Sequence, residues 1–141
     1  MRTRTIIAIV VLVAVIGGGL YGWTEYNRPV QGAEALAAKE TIEAVDLLKA
    51  FQENEGAATV RFVGATEQAI QVNGTIRAID QGDKGKVNVV LETGDALAGV
   101  VCEFASEDVP GDWKAGDTVS IKGICTGLLM DVLLQRCAAV E

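Results

Sequence analysis

Apolar and polar residues alternate along the stretch from Gly116 to Cys125. The residues that would share one side of an extended chain are Val119, Ile121, Gly123 and Cys125. Ser120 and Lys122 fall on the opposite side. A period of two with β-branched residues predicts a strand that is buried on one face. Gly123 would leave out a side chain where a curled barrel strand has to bend.

Four further segments have the same period and predict strands. They are residues 70–78, 86–92, 97–105 and 132–140. The first of them should place Ile70 and Ala78 in the core, and the second Val87 and Leu91. Five short strands, interrupted by an irregular segment at 106–115, predict a five-stranded OB-fold β-barrel. An open meander or sandwich is the alternative.

A helical period precedes the strands. Its apolar residues at i, i+3, i+4 and i+7 are Ala44, Leu47, Leu48 and Phe51. This spacing predicts one buried helical face, with Thr41 or Glu43 as the N-terminal cap. We expect a break at Gly56 and a second short helix that passes through Phe62 and ends at Gly64.

The N-terminal region is apolar over a long run. Residues 6–23 carry no charge, and a helix of that length spans about 27 Å, close to the hydrocarbon core of a bilayer. Arg2 and Arg4 precede the run, while Tyr21, Trp23 and Tyr26 crowd its far end. Basic residues before the span predict a cytoplasmic N-terminus, with the rest of the chain exported to the periplasm or outside.

An uncleaved signal anchor is the favoured interpretation of this run. The bulky residues after it fit signal-peptide cleavage poorly, although the sequence leaves cleavage open. A lipoprotein would need a cysteine there, and the first cysteine is Cys102. The predicted organisation is an anchor at 1–26, a linker at 27–40 and an OB-fold domain with a helical extension at 41–141.

The exported part is acidic. From Thr24 onward it holds 10 basic and 19 acidic residues, a net charge of −9, and the chain contains no histidine. Nucleic-acid affinity rests largely on Lys and Arg that neutralise phosphates, so this balance argues against a nucleic-acid partner. Without histidine, the commonest metal ligand and general base are absent. We therefore expect no metal, no cofactor and no enzymatic activity.

Three cysteines in an exported domain predict one disulfide and one free thiol. Cys125 and Cys137 flank the turn between the last two strands, so they are the favoured pair, which leaves Cys102 as the free thiol. In an OB barrel the fifth strand lies between the third and the fourth. Cys102–Cys137 is therefore the rival pair, and three buried free thiols remain a further alternative.

Three residues are candidates for a ligand-binding face. Lys84 and Lys86 lie at the hairpin between the first two strands, where OB-folds contact ligands. Trp113 is the tryptophan outside the apolar run; it is either a stacking platform or a plug at one end of the barrel.

Two motifs carry a family resemblance. They are G-D-x-V-x-I-x-G-x-C-x-G at residues 116–127 and D-V-x-L-x-x-C at residues 131–137. Together with the helix around Leu47 and the Val72-x-Gly74 strand, they resemble the bacterial tRNA-anti-like family of small OB-fold lipoproteins and membrane proteins. The resemblance spans roughly residues 41–140 and implies an OB-fold but no established activity.

The predicted function is a membrane-anchored binding module outside the cytoplasm. Its partner is expected to be a protein, a peptide or a glycan. Single-stranded nucleic-acid binding, suggested by the family's name, is the alternative. A thiol-redox role for Cys102 is a third hypothesis.

Overall fold

The computed structural model describes residues 2–27 and 32–141. Contacts divide the chain into two compact units, residues 1–30 and residues 31–141. Positions 28–31 of the expected linker lie outside the described residues.

The first unit contains one helix, α1 (Arg2–Tyr26). It has 25 residues, its most apolar window has a mean hydropathy of 2.4, and none of that window is buried. At 1.5 Å per residue its length is about 38 Å. The helix is therefore long and apolar enough to cross a membrane, a property that a secretory signal sequence shares.

The second unit is built on a closed barrel. Its strands are β2 (Ala69–Gln81), β3 (Lys86–Leu91), β4 (Val100–Ala105), β5 (Thr118–Leu128) and β6 (Val132–Val140). They follow the order β2-β3-β4-β6-β5, and the antiparallel pair β2–β5 closes the ring. The β6 strand runs parallel to β4 and antiparallel to β5. The predicted five-stranded OB-fold barrel, with its fifth strand between the third and the fourth, is confirmed.

A sixth strand, β1 (Ala38–Glu43), was not predicted. It pairs in parallel with the first half of β2, with Ile42 opposite Val72. Ala33, in a 3-10 turn upstream, is fully buried. Residues 33–40, expected as linker, therefore belong to the barrel unit. Because β1 is an edge strand with a largely exposed pattern, its sequence lacks the apolar alternation that indicates the other strands.

Two helices follow β1. The first, α2 (Ala44–Glu53), buries the four apolar residues that its period predicted and packs against β1, β2 and β6. It begins after Glu43, whose side chain makes no capping hydrogen bond, and Thr41 lies in β1, so neither residue caps as expected.

The helical segment breaks at Asn54, not at Gly56. Asn54 ends α2, and its Oδ1 accepts a hydrogen bond from the Ala57 backbone N–H at 3.0 Å. This cap starts α3 (Glu55–Ala58), which continues into a π turn, Thr59–Val63. The break is therefore set by the Asn54 side chain, which caps α3, and Gly56 lies inside α3.

The core is formed by the inward residues of the barrel and by α2. Phe51 and Phe62 meet there with ring centroids 5.9 Å apart. One predicted core position is wrong. The register shifts between Ile76 and Ala78, so Ile79 packs against the core where Ala78 was expected. The reason is a bulge, which adds a residue and reverses the alternation beyond it.

Candidate functional site

A groove crosses the outer face of the strands β1, β2, β5 and β6. We call it the Trp113 groove, and its volume is about 410 Å³. Its lining residues are Glu43, Asn73, Trp113, Thr118, Val119, Ser120 and Val140. The volume lies within the range of small-molecule sites in proteins.

The strand register builds the floor of this groove. Glu43 is opposite Asn73 in the β1–β2 pair, and Asn73 is opposite Ser120 in the β2–β5 pair. Ser120 is in turn opposite Val140 in the β5–β6 pair. Residues in register on neighbouring strands share one face of the sheet. Since Val72 is buried, Asn73 points outward, and the row of four side chains lies on the surface of the barrel.

Hydrogen bonds connect the polar members of the row. The Ser120 hydroxyl donates to Asn73 Oδ1 at 2.8 Å, and Asn73 Nδ2 donates to Glu43 Oε1 at 3.3 Å. Gln71 Nε2 also donates to Asn73 Oδ1, at 3.4 Å. The Asn73 amide is therefore held in one orientation, with its nitrogen toward the carboxylate. The serine oxygen and the carboxylate keep acceptor positions for a ligand, and the amide keeps one N–H.

Trp113 lies in the connection between β4 and β5 and forms one side of the groove. Its ring meets Phe104 edge-on, with centroids 5.9 Å apart and an interplanar angle of 88°. The side chain is half-buried and packs against the core. Trp113 therefore packs on the barrel core and also lines a surface groove, and its role as a stacking platform stays a prediction.

Lys84 and Lys86 line a different groove, beside the β2–β3 hairpin. It has a volume of about 320 Å³ and includes Asp83 and Glu103. Lys86 Nζ lies 2.6 Å from Glu103 Oε1. The two lysines are therefore accompanied by two carboxylates, and this groove is not a basic surface. The structure does not bring the three predicted ligand residues into one site.

A third polar cluster holds the connection between β3 and β4. Arg77 on β2 pairs with the carboxylate of Glu92 and donates to the Asp95 carbonyl at 2.7 Å. The hydrogen bond from Arg77 lowers the pKa of Glu92 to about 2. The backbone N–H of Leu97 lowers the pKa of Asp95, and Gln52 also bonds that carboxylate. These contacts all stay within the loop and its neighbours, so we interpret the cluster as structural.

The three cysteines are buried, and the structure contains them as thiols. Burial raises the pKa of Cys125 to about 11 and raises that of Cys137 as well. The β5–β6 register sets Cys125 opposite Leu134, so the hairpin does not face Cys125 with Cys137 as expected. The neighbouring Cys102 thiol, its partner in the rival pairing, also raises the pKa of Cys137. The identity of any disulfide stays a prediction.

Sequence reasoning missed the polar row of the Trp113 groove. Asn73 and Ser120 are recognisable from the sequence as outward residues of predicted strands, but Glu43 is predicted as a helix cap and not as part of a strand. Within residues 2–27 and 32–141, no cluster of three metal-ligating side chains occurs.

The family model named tRNA_anti-like matches residues 1–139. The chain belongs to the tRNA_anti-like family. A search of curated proteins found no match to this chain.

Solved structures are similar to this tRNA_anti-like protein. One is a "putative nucleic acid-binding lipoprotein" from Klebsiella pneumoniae, with 18% identity and a TM-score of 0.56; the match covers 77% of this chain and 94% of that one. Another is yeast Stn1 and Ten1, with 10% identity, a TM-score of 0.45, and coverage of 74% and 64%. At 18% identity the likeness to the Klebsiella pneumoniae structure shows the fold alone.

Proposed function

We propose that this tRNA_anti-like protein is a binding module anchored in a membrane by α1, with its OB-fold barrel outside the cytoplasm. The observation that carries the proposal is the apolar helix Arg2–Tyr26 on the chain of an OB-fold domain. Arg2 and Arg4 favour a cytoplasmic N-terminus, and the part from Thr24 onward carries 19 acidic residues against 10 basic ones.

Binding, and not catalysis, is proposed because, in the grooves described above, the Ser120 hydroxyl bonds the amide oxygen of Asn73 and not a general base. The thiols are buried and the chain has no histidine. An OB barrel commonly presents ligand sites on its outer faces and loops. We propose a protein, peptide or glycan as the class of partner.

The topology is tested with the full chain fused at its C-terminus to alkaline phosphatase, which is active only after export, or to a cytoplasmic fluorescent protein. We expect phosphatase activity in membranes that resists alkaline extraction. A matched variant, Val13→Arg, places a charge at the centre of the apolar run and should release the protein from the membrane fraction. Strong fluorescence of the second fusion, with an inactive phosphatase, would refute the proposed location.

Single-stranded nucleic-acid binding is the second candidate. It is favoured by the name of the Klebsiella pneumoniae protein, which has the same fold. The charge of the barrel unit argues against it, because Lys86 is paired with Glu103 and the surface is acidic overall. Fluorescence anisotropy with random single-stranded DNA and RNA tests it. Binding that weakens steeply as salt rises would favour the nucleic-acid function, and no binding at low salt would reject it.

A further inference from the structure

The Trp113 groove has the chemistry of a sugar-binding site. A sugar ring has an apolar face of C–H groups and a rim of hydroxyls, and each hydroxyl both donates and accepts hydrogen bonds. The groove offers a matching arrangement, because an indole forms one side and a polar row forms the floor.

The aromatic side of the groove is rigid. Trp113 is held against Phe104 by an edge-on contact with an angle of 88°. The backbone N–H of Trp113 also donates to the Pro110 carbonyl at 3.2 Å, which fixes the loop that carries it. A side chain that is already ordered loses little conformational entropy when a ligand stacks on it. An indole also offers a large apolar surface with a polar N–H at its edge.

The polar floor is preorganised as well. Ser120, Asn73 and Glu43 form a directed series of hydrogen bonds, so the orientation of the Asn73 amide is set before a ligand arrives. Across three neighbouring strands, the row presents the Ser120 hydroxyl, the Asn73 amide N–H and the Glu43 carboxylate. The bonded atoms of the row lie 2.8 and 3.3 Å apart, a spacing that suits neighbouring hydroxyls of one sugar ring.

The charge of the groove selects among ligand classes. Among the described residues that line it, none is Lys or Arg, and Glu43 contributes a negative charge. A phosphate backbone would meet a carboxylate with no compensating cation, so an oligonucleotide is disfavoured here. A peptide that extends a sheet would pair along the free edge of β1, whereas the polar row of this groove crosses the faces of four strands.

We propose that the Trp113 groove binds a ring of an uncharged glycan, which stacks on Trp113 and hydrogen-bonds to Glu43, Asn73 and Ser120. The proposal deepens the proposed function and rests on it for the location of the glycan outside the cytoplasm. It places the ligand on the β1–β2–β5–β6 face, away from the hairpin groove of Lys84 and Lys86.

The test uses the full chain in phosphatidylcholine nanodiscs, because detergents with sugar headgroups would compete for the site. The chain contains two tryptophans, so incorporation of 5-fluorotryptophan gives two ¹⁹F resonances, and Trp113→Phe assigns them. The probes are oligomers of N-acetylglucosamine, of β-1,4-linked glucose and of α-1,4-linked glucose. We expect at least one of them to shift the Trp113 resonance and leave the Trp23 resonance unchanged.

Variants locate the binding site. Glu43→Gln keeps the shape of the side chain but removes a charge-assisted hydrogen bond, and Ser120→Ala removes the end of the polar row. Each should weaken binding by roughly tenfold. Lys86→Ala, in the hairpin groove, should leave the affinity unchanged. An unchanged β-sheet circular dichroism spectrum confirms that each variant is folded.

Three outcomes would overturn the proposal. They are no shift of Trp113 with any probe at millimolar concentration, equal weakening by Lys86→Ala and Glu43→Gln, and a Trp113 shift caused by single-stranded DNA or an extended peptide instead of a sugar. The assay does not depend on topology. If the topology fusions place the barrel in the cytoplasm and the protein still binds sugar, the proposed location is rejected and the groove assignment is retained. An exported barrel that binds no sugar would reject the groove assignment alone.

Discussion

Gly123 on β5 lies so close to Cys137 on β6 that a Cβ atom at position 123 would be 2.6 Å from the Cys137 Sγ. The same Cβ would lie 3.0 Å from the Cβ of Leu134. Real Cβ atoms do not approach other atoms this closely, so glycine is required for the two strands to pack. The register between β5 and β6 also shifts between Lys122 and Ile124, so a bulge, which bends a strand, coincides with this close approach at Gly123.

Gly123→Ala should therefore destabilise the barrel by about 1–3 kcal/mol, through overpacking of a filled core. Urea unfolding of the full chain, followed by β-sheet circular dichroism, measures the change. Gly111→Ala is the matched control, because a Cβ at that position would meet nothing within 4 Å. In a Cys137→Ala background the cost of Gly123→Ala should fall, since the contacting sulfur is gone. Equal costs in both backgrounds would contradict this account.

The barrel strands could be predicted because their alternation is almost uninterrupted. The β4 strand, for example, buries Val100, Cys102 and Phe104 and leaves the residues between them partly exposed. The β1 strand could not be predicted, because an edge strand with one inward apolar residue, Ile42, gives no clear period. The bulge after Ile76 could not be predicted from the sequence either, because the position of a bulge depends on how the strand pairs with its neighbour.

The polar row of the Trp113 groove could not be predicted from the sequence for a related reason. Asn73 and Ser120 are 47 residues apart in sequence, and only the β2–β5 register sets them side by side. Each residue taken alone is an ordinary outward polar position. Trp113 could be picked out from the sequence because it is the tryptophan outside the apolar run. The polar row beside it in the groove depends on pairing between distant strands.

A second prediction concerns Asp131 in the turn between β5 and β6. Its carboxylate accepts a hydrogen bond from the buried Gly99 backbone N–H at 2.7 Å, and the Gly99 carbonyl accepts from Val132 at 3.0 Å. Asp131→Ala would leave the Gly99 N–H without this partner, which should cost about 1–3 kcal/mol. Asp131→Asn retains an oxygen acceptor and should cost less. Thermal unfolding of both variants measures the difference, and equal losses would show that the hydrogen bond contributes little.

A third prediction follows from the Arg77–Glu92 pair. Because the pKa of Glu92 is lowered from 4.5 to about 2 in the folded protein, the pair stabilises the fold fully above about pH 4.5. This contribution should be lost as the pH falls from about 4.5 toward 2, when the folded-state carboxylate becomes protonated.

A double-mutant cycle of Arg77→Gln and Glu92→Gln isolates the pair from other acidic groups, including Asp95. Urea unfolding at pH 6 and at pH 2.5 should give a favourable coupling at the higher pH and a smaller one at the lower pH. Because both side chains are partly exposed to solvent, the coupling at pH 6 should also weaken as salt is added. A coupling that does not change between the two pH values would exclude this role for the pair.

A fourth prediction concerns the reactivity of the three cysteine thiols. All three cysteines are buried, and burial raises the pKa of Cys125 to about 11, so the reactive thiolate is scarce at neutral pH. We expect N-ethylmaleimide to label none of them in the folded, reduced protein and all three after denaturation. Rapid labelling of Cys102 in the folded protein would restore the thiol-redox hypothesis.

Cys102 and Cys125 are each opposite Leu134 in the registers of their strands with β6, so strand register does not choose between them as partners of Cys137. We expect any disulfide to join Cys102 to Cys137, because the Cys102 thiol is the neighbour that raises the pKa of Cys137. Such a bond would link the parallel neighbours β4 and β6 and, by the chain-entropy model, would stabilise the fold by about 4 kcal/mol. Non-reducing peptide mass spectrometry of protein isolated from membranes without reductant identifies the pair. Cys125→Ala should leave the cross-link intact, and Cys102→Ala should abolish it. A Cys125–Cys137 bridge would contradict the prediction.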